Sequence, residues 1–267
     1  MSKRVAVLVY PGTNSEAETL RAVRAAGLDA ELWHWSRGKR GLADFDAYIL
    51  PGGFAYEDRI RGGAVAAHDE MTDAVIEAAT AGKFVVGICN GAQILLESGL
   101  VPGTGPVRLP TAAFAPNQSG RFRSVLVHLK LAIDPSRSPL TAALGAGAVI
   151  PAWASHGEGR LAASPEELVR IEREGRLAFV YCDAGGRVTD EAVPNGSALG
   201  CAGLVNAAGN VLALMPHPER IEWGYQQQER ASFERIRRDP SAALAPAGGS
   251  AFFDALAAAL AGKAASA

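Results

Sequence analysis

The sequence predicts an α/β protein with an open, mostly parallel sheet, helices on both faces and additional strands in its second half. Short apolar runs over 5–10, 30–35, 47–50 and 83–86 are typical of strands covered on both faces. Stretches of helical length follow the first and third runs, and this alternation favours a parallel sheet with helices packed on it. Beyond Leu100, Gly and Pro punctuate the apolar runs, which indicates further strands.

Capping and turn residues order these elements along the chain. A first helix is expected after a cap at Asn14 or Ser15, ending at Gly27. A second helix is predicted over 65–81, before the strand at 83–86. The second half is predicted to contain strands over 121–131, 149–154, 177–182, 200–206 and 211–214, and a final helix over 251–261.

The length and composition bound the class of protein. With 267 residues, 48% of them apolar, the chain is predicted to be a single domain over 1–267. Residues 222–250 are polar and Arg-rich and are predicted to be a surface insertion. A net charge of −2 excludes a nucleic-acid or anionic-membrane partner held by bulk charge. No run approaches the ~18 apolar residues of a membrane span, so we expect a cytoplasmic protein.

The cysteines indicate neither a disulfide framework nor a metal site. Cys89, Cys182 and Cys201 show no C-x-x-C spacing, which is typical of reduced thiols. The histidines show no H-x-x-x-H spacing, so we predict no metal ion.

The segment GICNGAQ places Cys89 between two glycines, where the strand at 83–86 gives way to a helix. Flanking glycines remove Cβ clashes at such a sharp turn. The same strand–turn–helix geometry presents the nucleophile in the G-x-S-x-G hydrolases. At a helix N-terminus the dipole favours thiolate over thiol, so Cys89 is a candidate nucleophile. The alternative is a small buried core cysteine.

A second segment, MPHPER, supplies the partners that a cysteine nucleophile needs. It follows the predicted strand 211–214, and residues two apart in an extended chain face the same way, so His217 and Glu219 point together. A nucleophile requires a base, and the base requires an orienting acceptor. Pro51-Gly52-Gly53, Cys89 and this pair all follow strands, and ligands of parallel sheets gather at those carboxyl ends.

Together these motifs resemble class I (triad-type) glutamine amidotransferases. Within that class the chain is similar to the glutaminase subunits of phosphoribosylformylglycinamidine synthases, which act in purine biosynthesis. The resemblance covers roughly residues 3 to 222. It rests on PGTN (11–14), PGGFAYED (51–58), CNGAQILLESGLVPG (89–103), SHGEG (155–159), PNGS (194–197) and GNVLALMPHPER (209–220).

The resemblance implies hydrolysis of L-glutamine through a Cys89 thioester, with His217 as base and Glu219 orienting it. It also implies an oxyanion hole formed by the backbone N–H groups of Gly53 and Asn90. The implied substrate-binding residues are Gln93, Gly52 and His156, and Glu158 is expected to bind substrate or shape the partner surface.

The resemblance further implies that ammonia passes to a synthetase subunit, in a complex that also holds a small accessory subunit. The chain contains no Walker loop, so we expect no cofactor here and place ATP and Mg²⁺ in the synthetase. Low glutaminase activity is expected for the isolated chain.

Three departures from the family pattern and three alternatives accompany this interpretation. Glu57 stands where the family more often has Gly, the Arg-rich run 58–61 is not its commonest form, and the insertion over 222–250 is longer than expected. All three concern the partner contacts more than the chemistry. The alternatives are an amidotransferase of another pathway, a cysteine peptidase or γ-glutamyl hydrolase, and a non-catalytic glutamine-sensing or scaffold subunit.

Overall fold

A computed structural model describes residues 3–227 and 230–262, and its centre is a nine-stranded sheet. The strand order is β2-β1-β3-β4-β11-β10-β9-β6-β7, and a separate pair is formed by β5 and β8. The pairs from β2 to β11 are parallel and those from β11 to β7 are antiparallel. The predicted fold class, a parallel sheet extended by later strands, is confirmed.

The elements have the following bounds. The strands are β1 Arg4–Val9, β2 Asp29–His34, β3 Ala47–Leu50, β4 Phe84–Ile88, β5 Ala112–Pro116, β6 Arg123–Leu131, β7 Val149–His156, β8 Glu158–Ala163, β9 Leu177–Cys182, β10 Cys201–Val205 and β11 Val211–Leu214. The helices are α1 Glu16–Ala25, α2 Glu70–Thr80, α3 Asn90–Glu97, α4 Pro165–Arg173, α5 Arg230–Arg238 and α6 Ser250–Leu260.

One predicted helix is shorter than expected and four elements were not predicted. The helix expected over 65–81 begins at Glu70, because Asp69 caps it by accepting a hydrogen bond from the Met71 N–H. Strands β5 and β8 were missed because each is short and has a single large apolar side chain, and helix α5 was missed because it is rich in arginine. The start of helix α4 was predictable from the sequence, because Ser164 and Glu167 form an S-x-x-E capping pattern. In the structure Ser164 accepts the Glu167 N–H.

The two glycines beside Cys89 allow α3 to pack directly on the sheet. A Cβ at Gly87 would lie 2.5 Å from the Gly91 carbonyl oxygen, and a Cβ at Gly91 would collide with the Leu50 carbonyl. The backbone of β3 therefore contacts the first turn of α3. This is the steric reason for the G-x-C-x-G spacing that the sequence presented.

The antiparallel half of the sheet returns to the segment after β11. Strand β7 lies at the far edge, yet the Trp153 N–H donates to the His217 carbonyl at 3.1 Å and the His217 N–H donates back at 2.8 Å. The end of β7, with Ser155 and His156, is thereby placed beside His217. These bonds bring together Trp153 and His217, which are 64 residues apart in the sequence.

The described part of the 222–250 segment packs against the turn that follows His217. The Ala247 N–H donates to the Glu222 carbonyl at 2.7 Å, and the Gly249 N–H donates to the Ile221 carbonyl at 3.0 Å. Helix α6 then buries Phe252 and Phe253 in the core. The single-domain organisation stays a prediction. In the described ranges, no helix has both the length and the apolarity that crossing a membrane requires.

Candidate active site

Cys89 lies at the sharp turn between β4 and α3. Its backbone has φ 52° and ψ −107°, a conformation that a non-glycine residue seldom adopts. The Cys89 N–H donates to the Leu214 carbonyl at 2.8 Å, so the end of β11 holds the turn in place. The side chain is 6% exposed and lines a cavity of about 350 Å³. A strained residue in a cavity is a candidate for function.

His217 lines the same cavity, and Glu219 binds it from behind. The Glu219 carboxylate oxygen Oε1 lies 2.5 Å from His217 Nδ1, and both side chains are buried. Glu219 is in a short 3₁₀ helix, Pro218–Ile221, that begins directly after the histidine. The sequence-based pairing of His217 with Glu219 therefore has the geometry of a base held by an orienting carboxylate.

The charges around His217 favour its protonated form. Burial alone would lower the pKa of the imidazole. The Glu219 carboxylate and the Cys89 sulfur outweigh burial and raise the pKa of His217 to about 9. An imidazolium that stays protonated at neutral pH stabilises a thiolate beside it and has a proton to donate.

The other two cysteines lie outside the cavity. Cys182 and Cys201 are both buried thiols, and burial raises the pKa of each. A buried thiol with a raised pKa is unreactive. Among the three cysteines, Cys89 alone lines the cavity that also contains a histidine.

Gly52 separates Cys89 from His217 and leaves no room for a side chain. A Cβ at this position would lie 2.5 Å from His217 Cε1 and 3.3 Å from Cys89 Cβ. The Gly52 carbonyl accepts the Asn14 and Ser15 N–H groups at 3.2 and 3.1 Å. The structure thus gives Gly52, predicted as a substrate-binding residue, a steric role of its own: it lets His217 approach Cys89.

Gly53 and Asn90, the predicted oxyanion-hole donors, lie near Cys89. Asn90 is the first residue of α3, where an N–H has no partner inside its own helix. Gly53 lines the cavity and pairs with Thr13 in an isolated bridge whose hydrogen bonds are made by the flanking residues. In this pattern the Gly53 N–H points away from the bridge.

The side chain of Gln93 supports the cavity wall. Its Nε2 donates to the Glu158 carbonyl at 2.7 Å, and its Oε1 accepts from Asn90 Nδ2 at 2.8 Å. Asn90 Nδ2 also donates to Asp58 Oδ1 at 2.8 Å, and Asn90 Oδ1 accepts the Ala55 N–H at 2.9 Å. Gln93 lines the cavity as predicted, while both ends of its amide already bind protein groups.

The hydrogen bonds of the Asn90 amide hold a loop over 54–63 whose backbone is strained. Tyr56, Glu57 and Asp58 all have a positive φ, a backbone conformation that residues other than Gly seldom adopt. Arg61 Nε donates to the Glu97 carboxylate at 2.6 Å and fastens the loop to the far end of α3. Glu57 pairs with Arg59 on the exposed side. The Arg-rich departure from the family pattern therefore lies on the loop beside the cavity mouth.

His156 presents a neutral ring to the cavity. Asn117 Nδ2 donates to two carbonyls, so its Oδ1 is the acceptor for His156 Nδ1–H at 3.0 Å. Burial, followed by the charge of His217, lowers the pKa of His156 to about 4. Within the described residues, His156 Nε2 is buried and has no hydrogen-bond partner. His156 is therefore a free acceptor at neutral pH.

Sequence reasoning missed several residues that line the cavity: Asn14, Phe54, Asp58, Phe122 and Arg220. Asn14 and Asp58 occur in the motifs PGTN and PGGFAYED, which carry part of the family resemblance but predict no role for either side chain at the site. Burial, and to a lesser extent Glu158, raises the pKa of Asp58. Among the described residues, no cluster of His, Cys, Asp and Glu is arranged to hold a metal ion, and the absence of a metal stays a prediction.

Comparison with known proteins identifies the family of this chain. Residues 2–244 match the model of the CobB/CobQ-like glutamine amidotransferase domain. The chain belongs to this family. It is 44% identical over 223 residues to a Salinibacter ruber protein, covering 82% of this chain and 88% of that protein. It is 42% identical over 219 residues to a Symbiobacterium thermophilum protein, covering 81% and 87%.

Both relatives are named phosphoribosylformylglycinamidine synthase subunit PurQ. Among solved structures, a chain of PurLQS from Thermotoga maritima superposes with a TM-score of 0.72 at 30% identity, covering 96% of this chain and 98% of that one. The resemblance inferred from the motifs is confirmed, and the chain is a glutamine amidotransferase.

A methyl group at Gly52 is expected to displace the His217 imidazole, because its Cβ would lie 2.5 Å from Cε1. Misplacement by ~1 Å costs about 10²-fold in rate. We expect Gly52→Ala to lose at least this much glutaminase activity with an unchanged circular dichroism spectrum. Gly185→Ala is the control, since Gly185 is exposed, its φ is not in the left-handed region, and the nearest atom to its Cβ would be the Asp183 side-chain oxygen at 3.3 Å. Equal activity of the two variants would contradict the steric role.

Replacing Glu219 by Gln removes the charge that raises the pKa of His217. In the wild type, the imidazolium that protonates departing ammonia is lost as pH rises through about 9, so hydrolysis should decline there. In Glu219→Gln the pKa of His217 falls. The decline should therefore move to lower pH, and the maximal rate should drop by about 10²–10⁴.

A pH–rate profile of glutamine hydrolysis measures both effects. Glu18→Gln is the matched control, because Glu18 pairs with the neighbouring Arg220 instead of with His217. A profile of Glu219→Gln with the wild-type alkaline limit would show that Glu219 does not set the protonation of His217.

Proposed function

We propose that this chain is the glutaminase subunit of phosphoribosylformylglycinamidine synthase, which supplies ammonia for a step of purine biosynthesis. The observation that carries the proposal is the buried arrangement of Cys89, His217 and Glu219 around one cavity. The two relatives that carry the PurQ name share this chain's family over most of its length, and this supports the assignment.

The reaction begins with the thiolate of Cys89, paired with the His217 imidazolium. Sulfur attacks the side-chain amide carbon of L-glutamine and forms a tetrahedral oxyanion. His217 donates its proton to the departing nitrogen, and ammonia and a thioester result. His217 then takes a proton from water, which opens the thioester to glutamate and regenerates the thiolate. Glu219 holds the imidazole and stabilises its charged form throughout.

The oxyanion is stabilised by the backbone N–H groups of Gly53 and Asn90. Such preorganised donors are each worth about 10²–10³ in rate. Asn90 is at the N-terminus of α3, so the helix dipole adds to the stabilisation. The Asn90 side-chain amide makes hydrogen bonds to Ala55 and Asp58. These bonds hold the Asn90 N–H and the Gly53 N–H at a constant distance from each other.

The polar lining of the cavity matches the amino-acid end of glutamine. The carboxylates of Asp58 and Glu158 line the cavity together and would accept the α-ammonium group. Arg220 offers the positive charge for the α-carboxylate. His156 Nε2, which no described residue bonds, would accept an N–H of the substrate. Gln93 Nε2 has a second N–H beyond the one it donates to the Glu158 carbonyl, and this N–H would donate to the substrate. Gly52 contributes by leaving space for the reacting atoms.

The ammonia is passed to a synthetase subunit that uses ATP and Mg²⁺, in a complex with a small accessory subunit. Phe54 and Phe122 line the cavity and are 49% and 54% exposed, and Ile60 on the strained loop is 87% exposed. Apolar side chains around a cavity mouth are suited to a protein partner that covers it. We place this complex in the cytoplasm.

A cysteine peptidase or γ-glutamyl hydrolase is the nearest alternative. A cavity of about 350 Å³ lies near the lower end of ligand sites and suits a single amino acid. The paired carboxylates of Asp58 and Glu158 would also oppose the carboxylates of a polyglutamate chain. Both observations favour free glutamine as the substrate.

Labelling with diazo-oxo-norleucine, a glutamine-mimicking electrophile, tests the site directly. We expect one adduct on Cys89 by intact mass and peptide mapping, slowed by glutamine and absent from Cys89→Ala. An analogue without the α-amino group should react far more slowly if Asp58 and Glu158 bind the ammonium. Labelling at Cys182 or Cys201, or none at all, would contradict the proposal.

The partner is tested by steady-state glutamine hydrolysis with and without the synthetase. We expect the isolated chain to be slow and the synthetase to accelerate it, because docking completes the cavity mouth. Ile60→Ser, at a position outside the cavity lining, should reduce this acceleration and leave the isolated rate unchanged. Full activity of the isolated chain would count against the coupling.

A further inference from the structure

Glu222 is a buried carboxyl group that the mechanism above does not use. It is 3% exposed and follows the 3₁₀ helix Pro218–Ile221. Its Oε2 is buried, and no donor in the described ranges bonds to it. A buried carboxylate without a hydrogen bond is costly, so its protonation state requires an explanation.

Glu219 also has a buried carboxylate oxygen to which no described donor bonds. Its Oε1 binds His217, while its Oε2 is buried and lacks a partner among the described residues. The two glutamates are three residues apart, and side chains at that spacing eclipse each other in a 3₁₀ helix. Glu222 continues the helical backbone with φ −73° and ψ −35°, so both carboxyl groups project from the same face.

The charges around Glu222 are negative. Glu219 faces it from its own segment and Asp254 from α6, while the nearby Arg220 binds Ser15 and Glu18 of the α1 region. Burial, then Asp254, then Glu219 raise the pKa of Glu222 to about 7. Glu219 binds the His217 ring through Oε1, and Glu222 has no such partner, so the proton of the pair resides on Glu222.

We propose that protonated Glu222 donates its O–H to Glu219 Oε2, directly or through one water, and so positions the carboxylate that orients His217. Glu222 is a positioning residue, and the proposal rests on the glutaminase function of this site. When Glu222 loses its proton to solvent, Glu219 loses a donor and gains a like charge beside it. The rate of glutamine hydrolysis therefore decreases.

The test is the pH–rate profile of glutamine hydrolysis by the complex with the synthetase. The wild type should show a partial decline near pH 7, below the final decline near 9. Glu222→Gln keeps a neutral donor and should stay flat through pH 7. Glu222→Leu has no donor and should be slower by about ten- to hundredfold at pH 6. Asp254→Asn removes one repelling charge and should move the first decline to lower pH.

A second measurement is independent of activity. The infrared absorbance of a protonated carboxyl group should be present in the wild type at pH 6, disappear as pH rises through about 7, and be missing from Glu222→Gln. The proposal is overturned if Glu222→Gln retains the wild-type profile or the infrared band. A wild type that neither hydrolyses glutamine nor is labelled at Cys89 would refute the glutaminase function, whereas the infrared band reports on Glu222 alone.

Discussion

The contact between Glu219 and His217 is the interaction on which the remainder of the site depends. Two buried histidines line one cavity, and they differ in their partners. His156 bonds a neutral amide, and burial lowers its pKa to about 4. His217 bonds a carboxylate, and its pKa rises to about 9. The Glu219 carboxylate, together with the Cys89 sulfur, therefore makes the difference between a neutral acceptor and a histidine that keeps its proton at neutral pH.

The backbone brings these groups together without adjustable side chains. Gly52 lets the imidazole approach the cysteine, and Gly87 and Gly91 let α3 rest on the sheet. Strand β7 of the antiparallel half pairs with His217 through Trp153, and its end closes that side of the cavity. Because each of these contacts involves main chain, small displacements at one strand end are transmitted to the reacting atoms.

The cavity also connects the chemistry to the surface. The loop over 54–63 begins directly after Gly53, a proposed oxyanion donor that lines the cavity, and it carries the exposed Ile60. Its positive φ values are sustained by the Asn90 amide and by the Arg61–Glu97 ion pair. A partner that bound this loop would therefore contact the segment that adjoins the proposed oxyanion donor.

The amino-acid sequence by itself determined the parallel half of the sheet, the elbow at Cys89 and the pairing of His217 with Glu219. These features are local, since apolar periodicity, flanking glycines and a two-residue spacing encode them. Tertiary structure alone decided that Asp58 lines the cavity, that Gly52 acts by leaving space, and that Glu222 is buried. Such features depend on contacts between distant segments, and no local pattern reports the burial or charge that those contacts create.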